Sequence, residues 1–411
     1  MHEQVDVVIV GAGIAGSALA KGLTEAGHEV LVLERQRSYR DKVRGEVINC
    51  WGVVEARELG LEKILLDAGG GWAEKFVGFD ETVAPEVAEA NALALDDQLP
   101  GVPGVLDVGH PEACAAIASA AGAAGAEVLM GVQSVQVTPG ETPTVTYALN
   151  GTKHVVRARL VVGADGRLST TRRQAGISLT QTPPNSLGGG LLVDDLHRWP
   201  ADTTSIGTEG DILYFVFPRP GGRARLYILH DSSEKGRFAG PDRNERFLDA
   251  FQLECIPGSD MFASATPATS AAFYPMNDAW TDRLVRDNVV LIGDAAGWTD
   301  PIIGQGLCMA LRDARSVRDA LVSNRIWSEA IFADYEAEHS TRRRRLTIAG
   351  SVRTLMGMTF TPEGARRRRA YAKAWPKDPV LAGTRLSIYR GPDGVPGESF
   401  EPSTIRAIQN L

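Results

Sequence analysis

Cysteine is scarce and scattered. Cys50, Cys114, Cys255 and Cys308 form no CxxC pair and no metal-type spacing, so neither a disulfide scaffold nor a metal site is expected. A basic excess is missing too: 43 Lys and Arg face 51 Asp and Glu, for a net charge of −8. That balance argues against nucleic acid or an anionic membrane as a partner. The alanine-rich run Ala113 to Ala126 is too short to cross a bilayer and follows Pro111, so it reads as a buried helix. Low-complexity linkers and internal repeats are absent. No signal-peptide pattern precedes the first apolar run, which makes a reducing cytoplasm the expected location. What remains is an ordinary globule, 44% hydrophobic and 23% charged, and its 411 residues predict one large domain or two interlocked ones.

The first informative stretch runs from Val5 to Glu34. VDVVIV (5–10) reads as a buried strand, Gly11, Gly13 and Gly16 follow as GxGxxG, Ala15 to Ala26 reads as a helix ended by Gly27, and EVLVLE completes a βαβ unit. Gly11 permits a tight turn, Gly13 lets backbone approach a pyrophosphate, and Gly16 lets helix and strand touch. Ile14 and Ala15 open the helix, whose N-terminus favours an anion. Glu34, with Arg35 beside it, can accept hydrogen bonds from an adenosine ribose diol and repels a 2′-phosphate. FAD or NAD therefore fits better than NADP.

Two later segments decide between them, because FAD is long and needs contacts along its ribityl chain and ring. In LVVGADGRLSTTRRQAGI (160–177) a buried strand ends at Asp165 and Gly166, and Arg172 stands in a basic helix start. In GDAAGWTDPIIGQG (293–306) Asp294 follows the strand-like NVVLI and could bond a sugar hydroxyl, while Pro301 to Gly306 offers bare backbone to a flat ring. Leu307, Ala310, Leu311, Ala314 and Leu321 share one face of the next helix. Its anchored N-terminus, with Gly304, Gly306 and Leu307, would stabilise negative charge on a reduced flavin.

Together the GxGxxG, DG and GD segments resemble those of the FAD-dependent monooxygenases related to para-hydroxybenzoate hydroxylase, over about the first 330 residues. The resemblance implies an α/β fold in which a Rossmann-like FAD-binding domain is interrupted by a mainly antiparallel β-sheet covering the substrate. Residues 1–71, 101–180 and 280–330 would bind FAD, 72–100 and 181–279 would form the covering domain, and 331–411 a C-terminal helical region. It also implies that Gly13 and Glu34 hold the ADP half, Arg44 lies along the pyrophosphate, and Asp294 meets the ribityl or phosphate region. His110 stands where that family commonly has arginine, Gly297 replaces its histidine, and Cys308-Met309-Ala310 replaces its Asn-x-Gly helix start. These departures weigh against a phenolic substrate, not against the flavin.

Residues 211–229 alternate as two strands around PRPGG. One face offers Leu213, Phe215 and Phe217, the other Ile212, Tyr214 and Val216, and the returning strand offers Arg223, Arg225 and Tyr227. Either face could roof a flavin over an apolar pocket. Catalytic candidates are limited to Glu46, Asn49, Trp51, Tyr214 and Arg225, since the flavin performs the hard chemistry. The arginine runs 342–345 and 366–369 read as solvated helix faces, with a NADPH phosphate site or a partner site as the alternative.

The expected reaction is monooxygenation: NAD(P)H docks transiently, or a partner reductase supplies reduced flavin, O2 adds at flavin C4a, and one oxygen atom passes to a small organic substrate, apolar or aromatic. Competing expectations are a geranylgeranyl-type alkene reductase, faintly matched by Tyr214 and Phe217-Pro218, a halogenase, whose WxWxIP stretch is missing, and a non-catalytic FAD-binding protein. A homo-oligomer is left open.

Overall fold

The computed structural model describes residues 3–41, 43 and 45–411. β-Branched apolar runs build a central sheet in which Glu127–Met130, Val30–Glu34, Gln4–Val10, Thr152–Gly163 and Val289–Leu291 lie side by side, all parallel. Both faces of this sheet are covered, which is why its strands read as continuous apolar runs without alternation. The helices Ile14–Glu25, His110–Ala123 and Gly306–Ser323 pack around it. Thr152–Gly163 serves two purposes. Its second half pairs with Gln4–Val10, whereas its first half leaves the sheet to pair antiparallel with Thr144–Leu149.

A second sheet, antiparallel over most of its width, runs in the order Thr266–Pro267, Ser186–Asp194, Arg223–Asp231, Ile212–Arg219, Thr203–Glu209, Lys75–Val77, Leu93–Ala94. The turn between Ile212–Arg219 and Arg223–Asp231 contains Gly221 and Gly222 at φ +81° and +75°, a conformation that favours glycine. Lys75–Val77, early in the chain, joins Thr203–Glu209 in parallel. Two three-stranded sheets, one of Val47–Ile48, Val105–Asp107 and Gly71–Ala73, the other of Leu179–Gln181, Ala279–Thr281 and Gly297–Trp298, lie outside these two large sheets.

Alternation then decides which face of the second sheet looks where. Ile212, Tyr214 and Val216 pack with Phe247, Phe251 and Phe262 in a separate core. Burying each such side chain stabilises by about 1.5–3 kcal/mol. Phe215, Tyr227 and Leu229 face the main core instead. The expectation that Tyr214 stands at the site is thereby corrected. It is fully buried, bonds Phe79 O at 2.8 Å through its hydroxyl, and has Ser205 Oγ at 3.0 Å.

The C-terminal region is helical, with Ala333–Gly357, Pro362–Ala374, Pro379–Arg390 and Pro402–Gln409. Its arginine runs depart from the solvated faces expected. Arg342 is 1% exposed and pairs with Asp313 at 2.6 Å and Glu338 at 2.9 Å. Arg368 reaches Asp80 at 3.0 Å and Glu81 at 2.5 Å, tying this region to the segment after Lys75–Val77. Among the described residues no helix is long and apolar enough to cross a membrane, and no group of three His, Cys, Asp or Glu could hold a metal ion.

Candidate active site

Between the two sheets lies a cleft of about 1680 Å³. That exceeds the roughly 300–1,000 Å³ usual for one small ligand, so it has room for a large cofactor and more. Its first wall is the glycine-rich turn. Gly11 has φ +107°, and a side chain there would meet Ala164 O at 2.4 Å; one at Gly16 would meet Gly11 O at 2.0 Å. These two glycines serve the packing of the turn against the neighbouring strand. Gly13 differs: a Cβ built there meets nothing within 4 Å, and the residue borders the cleft. Its backbone is bare toward a ligand and not toward protein.

Helix Ile14–Glu25 begins at Gly13 with no side-chain cap, and Gly306–Ser323 begins at Gln305 with none either. Gly13, Ile14 and Ala15 of the first end and Gly306 and Leu307 of the second border the same cleft. An uncapped helix start carries unpaired N–H groups and about half a positive charge. Two such ends on one cavity suit a ligand with negative charge at two separated places. Further along, both Glu34 oxygens accept backbone N–H groups, from Ala12 at 2.8 Å and Gln36 at 2.7 Å, which fixes the carboxylate at the cleft wall beside Arg35.

The loop 293–306 is held from several sides. Gly293 N donates to Asp313 at 2.8 Å, Asp300 accepts from Ile302 N at 2.9 Å, and Asn49 Nδ2 donates to Gly304 O at 3.1 Å. Trp51 Nε1 donates to Gln305 Oε1 at 2.8 Å, and Gln305 Nε2 donates to Ile303 O at 2.7 Å. Arg172 reaches Ala295 O at 3.0 Å, so the second motif supports the third. Gly297, at φ +132°, would with a side chain strike Ala279 O at 2.6 Å, because Gly297–Trp298 pairs with Ala279–Thr281.

Residues 4–348 match the protein family described as FAD binding domain. The chain belongs to that flavoprotein family, the one related to para-hydroxybenzoate hydroxylase. It is an FAD-dependent oxidoreductase. The flavoenzyme is 27% identical to a menaquinone reductase of Mycobacterium tuberculosis over 363 residues, 84% of either chain. It is 28% identical to a rifampicin monooxygenase of Streptomyces venezuelae over 382 residues, 89% of this chain and 74% of that one. Its fold matches a flavoprotein/dehydrogenase of Cytophaga hutchinsonii with a TM-score of 0.75 at 18% identity, covering 99% of this chain and 98% of the other.

Most residues singled out in the flavoenzyme's sequence meet at this cleft. Glu46, Asn49 and His110 border it, as do Asp165, Gly166 and Asp294, and Pro301 and Gly304 join the uncapped helix end. Arg44 lies outside the described residues. Gly16 stands behind the turn, and Trp51 acts through Gln305 without bordering the cleft.

Two side chains have other work than expected. Asp165 caps the helix Thr170–Gln174, taking Thr170 N at 2.7 Å and Thr171 N at 3.0 Å, with the Ser169 hydroxyl on its other oxygen. Arg225 is fully buried under the second sheet and pairs with Asp41 and with Glu46 at 3.1 Å. It positions Glu46 and does not itself border the cleft. Burial raises the Glu46 carboxyl to about 7, against the pull of Arg225 and Arg219 and with help from Asp41. Burial likewise raises Asp300 to about 6, opposed by the Ile302 N–H and helped by Asp278.

Sequence reasoning missed the role of the C-terminal helices, which supply Val352, Arg353, Met356, Arg385 and Tyr389 to the cleft. Arg167, which pairs with Asp294 at 3.2 Å and lies 4.9 Å from the Trp298 ring, was also overlooked. Its place in the DG segment was the available signal.

Proposed function

We propose that the flavoenzyme is a monooxygenase that inserts one atom of O2 into a small organic substrate held under the Phe215–Phe217–Tyr227 face of the second sheet. The observation that carries the cofactor pose is the pair of uncapped helix ends on one cleft. In this reading Gly13, Ile14 and Ala15 hold the pyrophosphate, Glu34 the ribose diol, Asp294 the ribityl region, and Gly304, Gly306 and Leu307 the ring. FAD, when bound, supplies the electron transfer and oxygen activation that no side chain provides.

The chain's own part is positioning and exclusion of water. Phe215, Phe217 and Tyr227 present a continuous aromatic wall, with ring centroids 5.9–6.4 Å apart. Trp51, Gln305 and Asn49 fix the loop against which the ring lies. Glu46, whose carboxyl burial raises, is a cleft-bordering group placed to hold or release a proton at its Oε atoms. NAD(P)H is proposed to dock transiently, because the described residues hold one glycine-rich βαβ unit and FAD would occupy it.

The likeness to a menaquinone reductase favours a second reading, in which the same cleft reduces an alkene or a quinone without inserting oxygen. Turnover under 18O2 separates the two. The monooxygenase reading expects one labelled oxygen in the product and O2 uptake matching NAD(P)H oxidation. Product formed at full rate under argon, and without label under 18O2, would establish the reductase instead.

A further inference from the structure

Arg353 and Arg385 stand on two C-terminal helices, Ala333–Gly357 and Pro379–Arg390, and both border the cleft. Neither lies within ion-pairing distance of a carboxylate among the described residues, in contrast to Arg342, Arg345 and Arg368 nearby. Nη2 of Arg353 and Nε of Arg385 are buried without a hydrogen-bond partner. Arg385 is sandwiched by aromatics, its guanidinium 5.3 Å from the Phe76 ring and 4.9 Å from the Trp375 ring, which holds the fork in place. Arg369 and Lys373, exposed on Pro362–Ala374, border the same cleft and are also unpaired. Asp80, the acid that shares this part of the lining, is occupied by Arg368.

A chain of net charge −8 thus gathers along one end of this cleft four cations without a carboxylate partner among the described residues, two of them sheltered. Burial first, and the neighbouring Arg385 second, push the Arg353 guanidinium down to about 10. Such an arrangement opposes stability unless a ligand brings negative charge. The walls beside it are apolar, with Phe76, Val352, Met356 and Tyr389.

We propose that Arg353 and Arg385 receive the anionic end, a carboxylate or a phosphate, of an amphipathic substrate whose apolar body lies along Val352, Met356 and Tyr389. This rests on the reading that the cleft holds the substrate beside the flavin, and it names the substrate class. Arg369 and Lys373 would draw that anion in from solvent.

The test is calorimetric binding to the FAD-loaded protein, without turnover, so that it stands whether the enzyme oxygenates or reduces. The probes are decyl phosphate, decanoate and decanol. Decyl phosphate and decanoate should bind at least 10-fold tighter than decanol at low salt, and Arg353→Gln or Arg385→Gln should cut that preference below 3-fold while leaving decanol affinity unchanged. Arg385→Lys should keep part of it. Because the two cations are unpaired, apoprotein Arg353→Gln should melt at the same temperature as the parent or higher; a lower melting point in both glutamine variants would show a structural role and overturn the proposal. Equal binding of charged and neutral probes would also overturn it. So would displacement of decyl phosphate by adenosine 2′,5′-bisphosphate with the same arginine dependence, which would assign the cations to the nicotinamide nucleotide.

Discussion

Two glycines two residues apart in one turn should respond oppositely to the same substitution. At Gly13 the backbone is extended, φ −74° and ψ −169°, which any residue adopts, and a Cβ meets nothing within 4 Å. Exchanging glycine for alanine at a helix N-cap costs about 0.5–1 kcal/mol, and the loss of chain entropy in the unfolded state returns about 0.4–1 kcal/mol. The net change for Gly13→Ala is therefore near zero, and the apoprotein should melt within about 2 °C of the parent. The methyl instead occupies the space in front of the uncapped helix, so FAD affinity should fall by about tenfold or more, which corresponds to about 1.4 kcal/mol.

At Gly11 the balance reverses. The φ of +107° is strained for alanine, and the methyl would stand 2.4 Å from Ala164 O. That oxygen cannot withdraw, since Val10 and Gly163 are paired in the sheet beside it. Strain of about 1–3 kcal/mol and overpacking of about 1–3 kcal/mol add up to a clear loss of apoprotein stability. Scanning calorimetry of the two apoproteins and fluorescence titration with FAD measure both effects, and working without FAD keeps cofactor linkage out of the melting point. A Gly13→Ala protein that keeps parental FAD affinity, or a Gly11→Ala apoprotein that melts like the parent, would refute the assignment of these glycines.

Three further outcomes are expected. Asp300 has its folded carboxyl raised from 3.8 to about 6, so its contribution is complete below about pH 3, where both states are protonated, and is lost as pH rises through 6. Asp300→Asn should therefore match the parent near pH 3 and be more stable, by about 3 kcal/mol, at pH 7.5 in urea unfolding of the apoprotein. Arg342→Ala strands Asp313 in the interior and should destabilise by about 3–5 kcal/mol, whereas Arg342→Ala with Asp313→Leu should recover much of that loss in the same assay. Gln305→Ala leaves the Trp51 indole N–H without its acceptor and loosens the loop; a stability loss of about 1–3 kcal/mol and a faster flavin off-rate should appear together.

The glycine-rich turn was legible because glycine at fixed spacing leaves few alternatives: Gly11 and Gly16 pack closely against protein, while Gly13 borders the cleft with nothing near it. The loop 293–306 could be read for the same reason. The covering sheet was readable as a hairpin but not as a face. Both sides of Ile212–Arg219 are buried, so Ile212 to Pro218 are apolar or aromatic on both faces and period two gives no sign of which side meets the cleft. Lys75–Val77 is three residues long, and its partner is more than 120 residues away, which no local pattern encodes. The arginine runs misled because a charge is solvated or paired according to what tertiary structure brings near. Arg342 and Asp313 are 29 positions apart on different helices.

The cleft collects residues from Val10 to Tyr389, and this dispersal bears on how the protein is made. A ribosome adding about 5–20 residues each second needs tens of seconds to pass from the first helix end at Gly13 to the second at Gly306. Until then the nascent chain can offer the nucleotide half of its cofactor a berth, but nothing for the ring. Capture of the whole cofactor in a closed cleft must wait longer still, until the wall helices Ala333–Gly357 and Pro379–Arg390 have also emerged.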